Sequence, residues 1–589
     1  GNPIFLSKDK KASYIFLYTK HKVPFEATDI AKSITKKYNG KQDGFTIYVG
    51  GFATFSYSIS ERISKDLAVA EGISIPLTFL LLLFVFGGLI SSAMPLVVGV
   101  SAILGAFLAL YLISLATGVS IFALNLVTGM GLGLGIDYSL LIVNRFREEL
   151  HHGKTVDEAV VATVKTAGRT VFFSGITVLI TLAALMFFPL MFLKSFGYAG
   201  VTVVAMAVLG AIIPLPAILG LLGHRIDKFT IRKGAITPKE DGRWAQTARF
   251  VMKRPVAIVL LSLIVLGVVA APVKNIVFTQ VDSRVMPANS PIAITGVVGS
   301  ERFPGQEGNP IEIIIPHQEI GNSEITSYLD LIKALPGIVR VGQPENIGTT
   351  IRVSAVHEMP ARTPEAEKLI NQIRAIKAPA GTLIGGVAAD YTDSQGGIAR
   401  TLPWALLWIA IGVLILLFMF TGSIILPIKA VILNFISLGA TLGAMTWVFV
   451  DGHMQWLTGS FTLTGTIDTS MVILIAVVAF GLSMDYEVFL LSRIKEEHDA
   501  GRSNIEAVAT GLQRSARIIT AAALLLAVVF AAFLTSGVTS IKTLGFGVAV
   551  AILIDATIVR ALLVPALMRL FGERNWWAPE WMKRFTISH

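Results

Sequence analysis

The sequence contains no cysteine and unusually little charge for its length. Zero cysteines among 589 residues exclude disulfides, thiolate metal sites and a cysteine nucleophile. Charged residues make up 15% of the chain, against about a quarter in a typical soluble protein. Hydrophobic residues make up 53%, and the mean hydropathy is +0.70. The composition therefore predicts a polytopic membrane protein.

The motifs of common membrane enzymes and ATP-driven pumps are also missing. The sequence shows no nucleophile–base set, no nucleotide loop of the GxxxxGK[ST] kind and no spacing typical of metal ligands. We therefore expect neither an enzyme nor a cofactor. Glycines alternate with apolar residues over 129–135 and superficially resemble a dinucleotide loop. Because no strand precedes this run, close packing of membrane helices is the better interpretation.

Eleven apolar runs are long enough to cross a bilayer. They lie at roughly 72–90, 94–116, 121–143, 171–189, 199–222, 256–273, 404–421, 427–449, 470–492, 518–535 and 545–567. An odd number of crossings puts the two chain ends on opposite sides of the membrane.

The basic residues predict the orientation. Lysine and arginine collect in the segments 144–170, 224–254 and 493–517, which all fall on one side of the predicted spans. That side is the cytosol, so the C-terminus is expected inside and residues 1–70 outside the cell membrane. The net charge of +10 is accordingly a topology signal rather than a sign of nucleic-acid binding.

Two stretches are too polar to lie in lipid, 1–70 and 277–400. The second alternates like a strand at 310–315 and has helical segments at 322–335 and 364–376, which predicts a small α+β domain. The first matches only the back half of such a domain, with a strand expected at 13–18, a helix near 26–38 and another strand near 45–50.

The sequence repeats itself with a shift of 348 positions. This shift aligns Asp137 with Asp485 and Tyr138 with Tyr486, and it holds through four predicted spans. Two homologous halves, each a soluble extracytoplasmic segment followed by helices, are expected of transporters whose site lies at the repeat interface. The predicted segments are 1–70 (partial first extracytoplasmic domain), 71–223 (helices of the first half), 224–255 (cytosolic linker), 256–276 (helix opening the second half), 277–400 (second extracytoplasmic domain), 401–570 (helices of the second half) and 571–589 (cytosolic interfacial tail).

Each aligned Asp-Tyr pair lies in the middle of an apolar run. Each Asp precedes an arginine, Arg145 or Arg493, by eight residues, which places the carboxyl roughly 12 Å from the cytosolic edge of its helix. Carboxyls at this depth are costly and are typical of proton relays. A phenol hydroxyl across the interface would stabilise the ionised form when the proton leaves. The alternative is that each Asp stays protonated and only bonds a neighbouring helix.

Two further polar residues in the spans admit two interpretations each. Ser174 aligns with Ala522, so it breaks the repeat; it either bonds its own helix backbone or reaches the relay. Asp555 either joins the relay or pairs with Arg560, and we prefer the pairing. The aromatic and basic tail at 575–584 is expected to rest at the lipid headgroups.

These stretches closely resemble the resistance-nodulation-division (RND) superfamily, and most of all its MmpL branch, the mycobacterial membrane protein large family. The residues that carry the resemblance are 133–138 (GLGIDY), 145–149 (RFREE), 480–490 (FGLSMDYEVFL), 553–560 (LIDATIVR) and 575–579 (NWWAP). The last two are similar above all to the trehalose monomycolate transporters of that branch. The resemblance implies the RND fold with α+β porter domains and contacts between Asp137 and Tyr486 and between Tyr138 and Asp485.

The resemblance further implies that Ser174 lies near Asp485 and that Phe489 forms an aromatic lid. The chain departs from the branch at Leu141, where a phenylalanine is usual four residues after the first Asp. The implied function is proton-driven export of a cell-envelope lipid across the plasma membrane, with protons as the coupling ion, by a monomer or small oligomer. The alternatives are efflux of hydrophobic drugs and a non-transporting accessory membrane protein of the same fold.

Overall fold

The computed structural model describes residues 5–17, 27–229, 242–303, 305–318 and 320–586. The α-helices, numbered in chain order, are α1 Ala27–Tyr38, α2 Phe52–Phe86, α3 Leu89–Ser114, α4 Ala123–His151, α5 Val156–Thr163, α6 Arg169–Ala183, α7 Met191–Ile212, α8 Pro214–Leu222, α9 Arg243–Lys253, α10 Pro255–Ala270, α11 Pro291–Arg302, α12 Ser323–Lys333, α13 Pro364–Ala375, α14 Val387–Thr421, α15 Ile425–Met445, α16 Gln455–Thr458, α17 Thr469–Asp499, α18 Asn504–Ala531, α19 Thr539–Ile554, α20 Val564–Phe571 and α21 Glu580–Lys583. The strands are β1 Gly40–Gln42, β2 Phe45–Ile47, β3 Phe278–Thr279, β4 Ile311–Pro316, β5 Ile338–Val341, β6 Glu345–Ile347, β7 Thr350–His357, β8 Leu383–Gly385 and β9 Ile467–Asp468.

Eleven helical spans within the described ranges are long and apolar enough to cross a membrane, as predicted. Some spans join consecutive helices, for example Val156–Phe187 and Thr539–Trp576. The predicted boundaries at 70/71 and 400/401 fall inside α2 and α14, which begin well before their apolar portions. Hydropathy marks where side chains become apolar, whereas the helix continues through the polar residues before that point. Because 35 residues exceed the ~20 needed to cross, both helices project beyond the bilayer.

The second soluble segment is the predicted α+β domain. Its antiparallel sheet has the strand order β5-β7-β4-β8, with β6 pairing with β7, and Ile313 stands opposite Val353 in its centre. Helices α12 and α13 bury their apolar sides against the alternate residues of β4. The predicted strand and both predicted helices are confirmed to within about two residues at each end.

The N-terminal segment differs from the sequence-based expectation. The helix near 26–38 is present as α1, and β2 forms a hairpin with β1. The strand expected at 13–18 is absent from the described part, 13–17, where Ser13 makes a single bridge to Leu6; Tyr18 lies outside the described residues. The aromatic side chains that suggested a strand instead pack on one another, with Tyr14 edge-on to Phe303 at 4.8 Å.

The sequence repeat has a counterpart in backbone geometry. Gly51 and Gly386 precede the 35-residue helices α2 and α14 with φ of 98° and 96°. Gly87 and Gly422 end them in the left-handed region, with φ of 69° and 72°. Only glycine adopts such angles without strain, so both halves use the same residue at the same turn.

His357 gives the second soluble domain an acid-sensitive point. Its ring is fully buried at the end of β7, where Nε2 lies 3.1 Å from the Asn309 carbonyl. Burial lowers the pKa of His357 below its usual 6.5, so the folded domain holds the ring neutral. The native state then binds fewer protons than the unfolded state, and the stability that this contributes is lost as the pH falls below about 6.5.

We therefore expect amide exchange in β7 and β4, corrected for the intrinsic pH effect, to accelerate between pH 7 and pH 5. His357→Gln should reduce that pH dependence because glutamine does not titrate. The exposed His317 provides the matched control, His317→Gln. An unchanged pH dependence in His357→Gln would show that another group is responsible.

Candidate functional site

Helices α4 and α17 form the centre of the membrane region. In their most apolar windows 94% and 89% of the residues are buried, whereas no other described span exceeds 56%. The packing is repeat-related, since α4 lies against α18 and α17 against α6. Polar groups on α4 and α17 can therefore face each other away from lipid.

Glycines allow the close approach of α3 to α4. A Cβ added at Gly135 would lie 2.5 Å from the Cα of Gly99, and one at Gly131 would lie 2.6 Å from the Ile103 side chain. The run at 129–135 is wholly helical and buried. Its interpretation as a helix-packing surface is confirmed.

The first Asp-Tyr pair is joined by a hydrogen bond across the interface between the two halves, and we call such a pair closed. The Tyr486 hydroxyl donates a hydrogen bond to Oδ2 of Asp137. Both side chains are buried, with Asp137 4% and Tyr486 6% exposed. The other carboxyl oxygen of Asp137 has no partner among the described residues. The contact joins the two halves through side chains that are 349 residues apart.

The second pair is close but not bonded. The Tyr138 hydroxyl lies beside Asp485 and Ser174. Within the described ranges, however, it has no partner at hydrogen-bonding geometry, although Tyr138 is only 1% exposed. Ser174 thus lies near Tyr138, and its expected closeness to Asp485 and its part in a relay stay predictions. In this structure the Tyr486 hydroxyl is at hydrogen-bonding geometry to Asp137, whereas the Tyr138 hydroxyl is near Asp485 without that geometry.

Asp555 makes the preferred pairing, and its membership of the relay stays a prediction. It pairs with Arg560, as preferred, and also accepts a hydrogen bond of 2.6 Å from the Ser483 hydroxyl. The Arg560 guanidinium lies 4.5 Å from the centre of the Tyr486 ring and donates to the Ser483 carbonyl at 3.1 Å. Because Arg560 is only 2% exposed, it brings a positive charge into contact with the closed pair.

Phe489 and Leu141 lie one helical turn beyond the Asp-Tyr pairs. Phe489 is 7% exposed and belongs to the apolar core, and Leu141 packs against the same core but is only partly buried. Their effect on access to the relay stays a prediction.

Sequence reasoning missed two buried charges near the Asp-Tyr pairs. Glu487 is 4% exposed, and its Oε1 has no partner in the described part of the chain. Lys429 is 6% exposed, and its ammonium lies 3.3 Å from Oδ1 of Asn575. A charged residue inside an apolar run was the available signal in both cases. With Asp137, Asp485 and Asp555, Glu487 makes four buried carboxyls, whereas Arg560 and Lys429 supply two cations. Such an imbalance opposes simultaneous ionisation of all four carboxyls.

The predicted interfacial tail is anchored by Asn575. This residue is fully buried and receives a 2.5 Å hydrogen bond on its carbonyl from the Ser423 hydroxyl. The following Trp577 and Trp581 are 57% and 63% exposed. Their contact with lipid headgroups stays a prediction.

Comparison with known proteins identifies the family. The MMPL family matches residues 1–258 and 346–586. A membrane protein of Streptomyces coelicolor is 41% identical over 91% of this chain and 75% of its own length. The trehalose monomycolate exporter MmpL3 of Mycobacterium tuberculosis is 34% identical over 92% of this chain and 62% of that protein. The mycolic acid-containing lipids exporter MmpL11 of Mycolicibacterium smegmatis is 31% identical over 95% of this chain and 61% of that protein. The chain thus spans less than two thirds of the length of the two mycobacterial relatives.

The fold has a counterpart among solved structures. The crystal structure of SecDF in a super-membrane-facing form superposes with a TM-score of 0.52 at 14% identity, covering 87% of this chain and 63% of that chain. At this identity the likeness shows the fold alone. The predicted fold class, a polytopic helical membrane protein with a mixed α+β soluble region, is confirmed. The chain belongs to the MMPL family.

Proposed function

We propose that this protein exports a cell-envelope lipid across the plasma membrane and that proton entry drives the export. The observation that carries the proposal is the hydrogen bond from Tyr486 to Asp137 between the two halves. Protonation of Asp137 removes the charge that this phenol stabilises, so the preferred packing of α4 and α17 changes with each proton. A proton taken up outside is thereby converted into movement of one half against the other.

The unequal state of the two pairs supports an alternating mechanism. Asp137 holds its phenol, whereas Asp485 and Tyr138 are neighbours without a formed bond. Because the pairs are repeat-related, exchange of closed and open states between them would rock the halves around the fixed site. Arg560, in contact with Tyr486, favours the state in which a nearby carboxyl is ionised.

A long-chain lipid with a sugar head group, such as trehalose monomycolate, is the substrate class that the family relatives favour. Two of them are named as exporters of mycolic acid lipids. The head group must avoid hydrocarbon, because an unsolvated polar head costs several kcal/mol there. The extracytoplasmic segments, including the sheet domain of β4 to β8, provide the polar surface for its passage.

Reconstituted vesicles test the proposal. The protein is incorporated with trehalose monomycolate, an acidic pH is imposed on the side of the soluble domains, and lumenal pH is followed by a trapped dye. Lipid movement is followed by the fraction of head groups that periodate reaches from outside. We expect proton entry and lipid exposure to rise together and both to require the gradient.

The other outcomes identify the alternatives. Proton flux that is stimulated by hydrophobic drugs but not by the glycolipid would favour drug efflux. Neither proton nor lipid movement in folded protein would favour an accessory membrane protein.

A further inference from the structure

We propose that Asp66 is a positioning residue that fastens helix α2 to the loop between the last two spans, so that movement of the relay reaches the first extracytoplasmic segment. This inference rests on the proposed function. It concerns a polar cluster outside the Asp-Tyr site, made of Arg62, Asp66, Ser536, Gly537 and Lys542, which we call the strut.

Asp66 is the centre of the strut. It is 6% exposed, and its Oδ2 accepts hydrogen bonds of 2.7 Å from both the Ser536 hydroxyl and the Gly537 amide. Its Oδ1 lies 2.9 Å from Nε of Arg62, one turn earlier on α2. A Cβ at Gly537 would lie 2.3 Å from the Arg62 guanidinium, so the glycine is needed for this contact. Helix α2 and the loop are therefore joined by hydrogen bonds to the Asp66 carboxylate and by the close approach of the Arg62 side chain to the backbone at Gly537.

Lys542 holds the other side of the loop. It is 4% exposed, and its ammonium donates to the carbonyls of Leu534 at 2.8 Å and Thr458 at 2.5 Å. The Lys542 ammonium also lies close enough to Asp66 to interact with its charge. The loop at 534–538 is consequently fixed to the start of α19, so that α2 is fastened to a rigid element.

The strut lies between the relay and the first extracytoplasmic segment. The span that starts at Thr539 continues through Asp555 and Arg560, and Arg560 touches Tyr486 of the relay. In the other direction α2 runs without interruption from the strut to Phe52 and packs against α1. If a change at Tyr486 shifts the last span, the strut would therefore move α2 with it. Because α2 packs against α1, the first extracytoplasmic segment would move as well.

In the other half, the positions equivalent to Arg62 and Asp66 on α2 carry uncharged residues of α14. There the contact of Arg62 with Gly537 is replaced by Gly397 of α14 against Pro189, where an added Cβ would lie 2.8 Å from the proline ring. Thr401 stands in the position of Asp66 when α2 and α14 are aligned by their flanking glycines, Gly51 with Gly386 and Gly87 with Gly422, which are 335 positions apart. The repeat thus keeps the contact between helix and loop, and a lysine (Lys194 or Lys542), in both halves, but it places the arginine and the aspartate in only one of them.

The burial of the cluster indicates a permanent connection rather than a gate. Separation of α2 from the loop would remove the Ser536 and Gly537 donors from the Asp66 carboxylate, and the loss of hydrogen bonds to a buried charge is strongly unfavourable. A buried network in which Asp66 and Lys542 both hold their hydrogen-bond partners is expected to stay closed while the elements that it joins move together.

A double-mutant cycle on the full-length chain measures the connection without any need for transport. Asp137→Asn imposes a neutral side chain at the relay, and hydrogen exchange of α1 and the β1–β2 hairpin reports the response of the first segment. We expect Asp137→Asn to change the exchange rates of α1 and the hairpin when Asp66 is intact. In the Asp66→Asn background the same substitution should change these rates by less than about twofold. Equal responses in both backgrounds, or no response in either, would overturn the inference.

A cysteine pair then separates the strut from simple loss of stability. The chain has no cysteine, so Asp66→Cys with Ser536→Cys introduces the only two thiols. In the reduced form we expect lipid export to fall about tenfold with proton uptake within about twofold of normal, and oxidation to restore the export. Ser64→Cys with Ser536→Cys is the control, because Ser64 is exposed and cannot reach the loop.

Each result distinguishes this inference from the proposed function. If the unaltered protein moves neither protons nor lipid, proton-driven export is contradicted. The strut is then still tested by the double-mutant cycle measured by hydrogen exchange. Normal export in the reduced Asp66→Cys, Ser536→Cys protein overturns the strut alone. Oxidised protein that remains inactive although folded would also overturn it, because a permanent connection must be compatible with transport.

Discussion

Replacement of Asp137 or Asp485 by asparagine is expected to abolish proton-driven transport while the protein stays folded. Asparagine has nearly the volume of aspartate and keeps an oxygen that can accept from Tyr486, but it cannot bind and release a proton. Without titration the packing of α4 against α17 has no reason to alternate. Proton uptake and lipid exposure in vesicles should fall to the level of protein-free membranes, with an unchanged elution profile and unfolding temperature.

Two carboxyls on the same helices serve as matched controls. Glu148 and Glu496 are repeat-related and lie eleven residues after the respective Asp, where each pairs with an arginine three residues before it. Glu148→Gln and Glu496→Gln remove an ionisable group outside the relay and should transport normally. Near-normal proton-driven transport by Asp137→Asn or Asp485→Asn would rule out the relay.

Gly135→Ala is expected to cause a large loss of stability through the addition of a single methyl group. The new Cβ would lie 2.5 Å from Cα and 2.9 Å from the amide nitrogen of Gly99. These are backbone atoms of α3, so no side chain can rotate away and the two helices must separate. Overpacking of this kind costs about 1–3 kcal/mol or more. We expect a lower unfolding temperature in detergent and a smaller yield of monodisperse protein.

Gly439→Ala is the control for this prediction. Gly439 also lies in a membrane helix, α15, but a Cβ there would have no atom within 4 Å. It should therefore leave stability unchanged or raise it slightly, because alanine is the better helix former. If both variants unfold at the same temperature, close packing at Gly135 does not limit stability.

Hydropathy and internal repetition predicted the membrane architecture from the sequence. Eleven apolar runs were visible because a span must be apolar along about 20 consecutive residues, which is a local property of the chain. The shift of 348 positions aligns Asp137 with Asp485 from the sequence alone. The same local reasoning identified the helices and the central strand of the second soluble domain.

Local patterns were less informative where several elements compete for the same residues. The aromatic alternation at 13–17 indicated a strand, but those rings pack on one another and on Phe303. The polar first half of α2 was assigned to a soluble domain because polar residues end a hydropathy run without ending a helix. In both cases the outcome depended on partners supplied by other parts of the chain.

The charges that meet inside the membrane were decided only by the tertiary structure. From the sequence, Arg560 was a partner for Asp555, and nothing in the order of residues placed its guanidinium against the Tyr486 ring. Nor could spacing bring Asp66 to Ser536, which is 470 residues away. The sequence by itself determined which segments enter the membrane, since that choice rests on the free energy of each residue in water and in lipid. Which side chains then face each other follows from how the helices pack, because a buried charge is stable only where the fold supplies its partner.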